Sequence, residues 1–97
     1  IAQAANDLLT IQNVEASFVA VQVGGGVNIS ARSLGAVNVQ VIMESLGGGG
    51  HQTMAAAQLK HITPEAARSR IQTAIDPSTG GPEKERPRVG IRTEEKG

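Results

Sequence analysis

The residues of this chain best placed to do chemistry are four glycines and a histidine in succession, Gly47 to His51. Glycine lets an anion approach backbone N–H groups without a Cβ in the way. A histidine at the end adds a side-chain donor, which becomes a cation when protonated. The run therefore suits a phosphate cradle. Standing alone it suits a flexible connection between two packed elements slightly better, and neither P-loop nor dinucleotide-fingerprint spacing is present to separate the two. Arg32 is the second candidate. It is the only basic residue between Ile1 and His51, and Ser30 and Ser33 flank it. Its planar fork matches phosphate oxygens, although an arginine on the open face of a hairpin is often merely solvated. Metal chemistry is not expected from the chain itself. His51 and His61 are its only histidines, and no carboxylate lies near His51 in sequence. Asp7 and Asp76 read as surface and helix-end residues, and His61 as structural or solvated. A two-metal hydrolytic site cannot be assembled from these groups.

These residues need elements to position them. Residues 1–9 carry Ile1, Ala5, Leu8 and Leu9 at helical spacing, a helix ending near Thr10 before a turn at Asn13. Residues 14–23 are rich in valine and read as a strand. Gly24, Gly25 and Gly26 make a turn, and residues 27–33 alternate. Val27, Ile29 and Ala31 face one way, Asn28, Ser30 and Arg32 the other, so the two runs form a hairpin. Residues 38–46 fit a strand or a helix. Asn38 is a good N-cap, and the glycines after Leu46 favour the helix, with Gly47 its cap. Residues 53–59 are short, apolar and open to either state. From Thr63 to Asp76 the pattern is helical: Thr63 caps, Pro64 takes the first position, and Ala67, Ile71, Ala74 and Ile75 form the buried stripe. Pro77 should end it. Residues 77–97 are charged, rich in Pro and Gly, and expected to be a disordered tail.

Composition narrows the function. At 97 residues the chain suits one small domain, and Phe18 is its only aromatic residue, so the core must be thin. Residues 1–76 hold four basic and five acidic groups, a net of 4 − 5 = −1, which argues against a duplex nucleic acid as partner. There is no cysteine, hence no disulfide framework or thiolate zinc site, in keeping with a reducing compartment. No run approaches the roughly 20 apolar residues that span a bilayer. The chain starts without Met, in what reads as the middle of a helix, so it is expected to be a piece of a longer protein that carries any membrane anchor elsewhere.

The segments "ISARS", "NVQVIMESLGGGGH" and "AAAQL" together resemble the DHH-associated domain, which follows the metal-binding DHH domain in a superfamily of phosphoesterases. RecJ-like exonucleases and nano-RNase/pAp phosphatases are similar. The four-glycine form and its flanks are most similar to the C-terminal domain of the cyclic-di-AMP phosphodiesterases of the GdpP type. The resemblance covers residues 1–76. It implies an α+β fold with a small mixed sheet in the order α-β-β-α-β-α, with residues 39–46 helical and 54–60 a strand. It also implies a hydrolase role in bacterial second-messenger signalling: binding a nucleotide so that the parent enzyme can hydrolyse cyclic-di-AMP to pApA. Arg32, Ser33, Gly48, Gly49, Gly50 and His51 would contact substrate, with Ser30 and Asn38 as weaker candidates. The catalytic residues and the Mn²⁺ ions would belong to a DHH domain of the same protein, and this chain alone would be inactive. The implied ligand is a cyclic dinucleotide or, in the rival reading, a short oligonucleotide or pAp. A non-catalytic nucleotide-binding module is a further alternative. The implied setting is a cytoplasmic domain of a membrane-anchored parent, with room for a homodimer.

Overall fold

The computed structural model describes Ala5, residues 14–79 and residues 89–94. Ala5 is helical, and the rest of the helix expected over residues 1–9 lies outside the described residues. Strands β1 (Ala16–Val23) and β2 (Gly26–Ser33) pair antiparallel along their full length, from Ala16 opposite Ser33 to Val23 opposite Gly26. This is the expected hairpin, closed by Gly24 and Gly25. The ambiguous segment resolves as helix α1 (Val39–Ser45), because its cap and its burial agree. Asn38 Oδ1 accepts from the N–H of Gln40 at 3.0 Å and of Val41 at 3.3 Å, while Val39, Ile42 and Met43 are buried. Strands β3 (Gly49–Gly50) and β4 (Met54–Leu59) follow, then helix α2 (Pro64–Thr79) and strand β5 (Val89–Glu94). Thr63 caps α2 as expected, its Oγ1 accepting from Ala66 N at 3.2 Å.

The five strands lie in the order β3-β4-β2-β1-β5. All neighbours are antiparallel except β1 and β5, so the sheet is mixed and the α+β class holds. Both helices pack on one face. Ile42 and Met43 of α1, Ala67, Ile71 and Ile75 of α2, and Phe18, Ile29, Ala31, Ala55 and Ala57 of the sheet share a single core. The opposite face is covered over β1 by Ala5, which packs with Val19 and Val21 and accepts a 2.7 Å hydrogen bond from Ser17 Oγ. Beyond β1 that face carries Asn28, Ser30 and Arg32 of β2 and Met54, Ala56 and Gln58 of β4, in cross-strand register.

The C-terminal stretch differs from the expected tail in two places. Helix α2 runs past Pro77 to Thr79, two residues beyond the expected stop. Val89–Glu94 form β5, parallel to β1, with Val89 and Ile91 packed against the core and Arg68 Nη1 donating to the carbonyl of Ile91 at 2.9 Å. Residues 80–88 and 95–97 lie outside the described residues.

Candidate functional site

The glycine run is neither a linker nor a loop that is open throughout. Its first half closes α1. Leu46 is the C-cap, Gly47 N donates to the Glu44 carbonyl at 3.0 Å, and Gly48 N reaches back to the Met43 carbonyl at 2.8 Å. That pair of bonds is a Schellman motif, and it needs the left-handed residue supplied by Gly47 at φ 89°. Its second half is the edge strand β3. Gly49 faces Ala56 and Gly50 faces Ala55. His51 and Met54 exchange backbone hydrogen bonds at 2.6 and 3.3 Å, so Gln52 and Thr53 form a two-residue tip. The tip is anchored too, its carbonyls accepting from Val39 N and Ser33 N, each at 3.0 Å.

The alanines follow the glycines because the two backbones touch. A Cβ on Gly48 would collide with the Ala56 carbonyl and lie 2.7 Å from both Cα and Cβ of Ala57. A side chain at Gly48 or Gly50 would force β3 away from β4.

This geometry assigns the glycine donors. Gly47 and Gly48 have given their N–H groups to α1. In an antiparallel ladder, hydrogen-bonded and non-bonded pairs alternate. With His51 and Met54 bonded, the polar groups of Gly49 turn into the ladder and those of Gly50 point to the open edge. Gly50 is therefore the one glycine of the run with an N–H directed outward.

The sheet also gathers the side chains. His51 stands opposite Met54, and Met54 opposite Arg32. Opposite residues share a face, so His51 and Arg32 belong to one cross-strand row. Two strand spacings separate their backbones, roughly 10 Å. Ser30 lies two residues along β2 on the same face. Arg32 is half-buried, and Nη1 donates to the Ala31 carbonyl at 3.1 Å. Among the described residues neither its remaining donors nor the exposed His51 ring has a partner. The row thus presents two basic side chains and a hydroxyl, a set suited to oxyanions.

Two expected contacts lie elsewhere. Ser33 is adjacent to Arg32 but faces the core, as strand alternation requires, and its Oγ accepts from Gly35 N at 2.9 Å and Val37 N at 3.3 Å. Asn38 is committed to capping α1.

Sequence reasoning missed a groove of about 530 Å³ beside the row, lined by Asn28, Ser30, Gly48, Ala56, Gln58 and Lys60. It was invisible because it depends on the β2–β4 register, and β4 had no distinct strand pattern. Exposed His61, at φ 57°, lies next to it with Asn28, Gln58 and Lys60. Among the described residues no three histidines or carboxylates come together.

A sheet that holds a GGGH-type hairpin in register with a serine–arginine strand defines a class. Residues 1–76 match the DHHA1 domain, and the chain belongs to that family. Over 76 residues it is 60% identical to the cyclic-di-AMP phosphodiesterase GdpP of Geobacillus thermodenitrificans (strain NG80-2) and 53% identical to the cyclic-di-AMP phosphodiesterase PdeA of Listeria monocytogenes serotype 1/2a (strain 10403S). Each match covers 77% of this chain and 12% of the relative. The cyclic-di-AMP phosphodiesterase GdpP of Bacillus subtilis (strain 168) is 58% identical over 77 residues, 78% of this chain and again 12% of the relative. The chain thus spans a small part of the curated proteins it resembles.

Proposed function

We propose that this chain is the substrate-binding domain of a cyclic-di-AMP phosphodiesterase. The observation that carries the reading is the row that puts Arg32 and His51 on one face of the sheet, with Ser30 beside them. Arg32 grips a phosphate through its fork, while His51 and the Ser30 hydroxyl, on the same face, add donors. Gly48 and Gly49 serve as wall and spacer. Holding the phosphate fixes the scissile bond in line for attack and offsets charge that grows in the transition state. The identity to phosphodiesterases named for cyclic-di-AMP supports that substrate. A DHH domain of the same protein would hold Mn²⁺ and supply the attacking water, so this chain alone is inactive. The intact protein would act in bacterial second-messenger signalling, with this domain on the cytoplasmic side of a membrane-anchored parent.

The test is hydrolysis of cyclic-di-AMP by the full-length protein. Arg32→Ala and His51→Ala should each lower kcat/KM while the fold, followed by circular dichroism, is unchanged. Parental rates in both variants would refute the phosphate grip. The 97-residue chain with Mn²⁺ should release no pApA, and turnover above a buffer control would refute its dependence on a second domain.

A further inference from the structure

We infer that the groove beside the arginine–histidine row is a nucleobase site, in which Asn28 and Gln58 read the edge of an adenine. The two residues are direct cross-strand partners between β2 and β4, on the same face as Ser30 and Arg32. Their Cβ atoms should therefore stand about 5 Å apart, close enough for both amides to meet one base. Among the described residues neither amide has a hydrogen-bond partner, although Asn28 is half-buried. The groove between them and the glycine hairpin has a small-residue floor of Ser30, Ala56 and Gly48. Its volume of about 530 Å³ lies within the range typical of small-molecule sites.

The chemistry of the lining selects the base. An amide presents a donor and an acceptor side by side, which complements the N6 donor and N7 acceptor of adenine. Guanine presents two acceptors at the same edge and suits a lysine or arginine instead. Lys60 also lines the groove, so the guanine alternative has a residue of its own and the experiment must separate the two. The spacing fits a nucleotide laid along β2. From Arg32 to Asn28 is four residues of strand, roughly 13 Å, with Ser30 on the same face between the phosphate grip and the base site. This inference rests on the phosphate reading of Arg32.

The experiment titrates the 97-residue chain with AMP, GMP and inorganic phosphate, following backbone amide NMR shifts. AMP should bind more tightly than GMP. Asn28→Ala and Gln58→Ala should each weaken AMP about tenfold or more and erase the preference over GMP, leaving phosphate affinity unchanged. Gln58→Glu keeps the shape, loses the donor and should behave like the alanine variant. Both side chains lie on the open face, so the unperturbed amide shifts of the core report an intact fold. Parental AMP affinity in all three variants, or equal binding of AMP and GMP by the parent, overturns the inference. Failure of the phosphate reading looks different: Arg32→Ala would then leave inorganic phosphate binding intact.

Discussion

Arg32 and Ser33 are neighbours in sequence and face opposite sides of the sheet. The arginine joins His51 on the open face, and the serine accepts two backbone hydrogen bonds on the core side. The two residues should therefore fail in different ways when altered. Ser33→Ala leaves the N–H groups of Gly35 and Val37 without their acceptor, at a cost of about 1–3 kcal/mol. Urea denaturation should register that loss, while nucleotide affinity stays at the parental value. Ser30→Ala should do the reverse, weakening binding with stability nearly unchanged.

If Arg32 grips phosphate as proposed, Arg32→Ala should cost the full-length protein about ten- to a hundredfold in kcat/KM, the value of one charge-assisted contact of roughly 1.5–3 kcal/mol. Arg32→Lys should recover part of it, because a point charge cannot make a two-pronged contact. Full recovery by lysine would mean that charge alone is used there.

Within the glycine run, substitution should be sharply position-dependent. Gly48→Ala places a methyl against the backbone of β4 and should destabilise by about 2 kcal/mol or more. At Gly49 a Cβ meets nothing within 4 Å, so Gly49→Ala should be tolerated within about 1 kcal/mol. Thermal melts of the two variants check this directly. Equal melting temperatures would refute the close approach of β3 and β4.

Ending the chain after Thr79 removes β5 and uncovers one edge of β1. Val89 and Ile91 are half-buried, worth about 1 kcal/mol each, and the clasp from Arg68 is lost with them. The melting temperature should fall on the order of 10 °C for a domain of this size. An unchanged melting temperature would mean that the β1–β5 pairing adds no net stability.

The hairpin, the caps at Asn38 and Thr63 and the stripe of α2 were legible because each depends on residues close in sequence. Arg32 and His51 were legible as candidates through the same local patterns and the family resemblance. Their common row was not, since it follows from the register of β2 on β4, and the alternation in "MAAAQL" is muted by three alanines. The opposite orientation of Ser33 could have been read from the alternation that placed Arg32. Strand β5 was hidden because Val89 and Ile91 are isolated among charges, and only the open edge of β1, more than sixty residues away, makes them a strand.

Helix α1 has seven residues, too few to persist alone in water. It is tied to the glycine hairpin at both ends, by Val39 N to Gln52 O before it and by Gly48 N to Met43 O after it. Neither piece holds its shape without the other. Helix and hairpin should therefore open and close as one cooperative unit, with matched protection of their amides against exchange with solvent. His51 rides on that unit, so it joins the cross-strand row of Arg32 only while the unit is closed, and the fraction of time it is closed sets a ceiling on how often the proposed grip is complete.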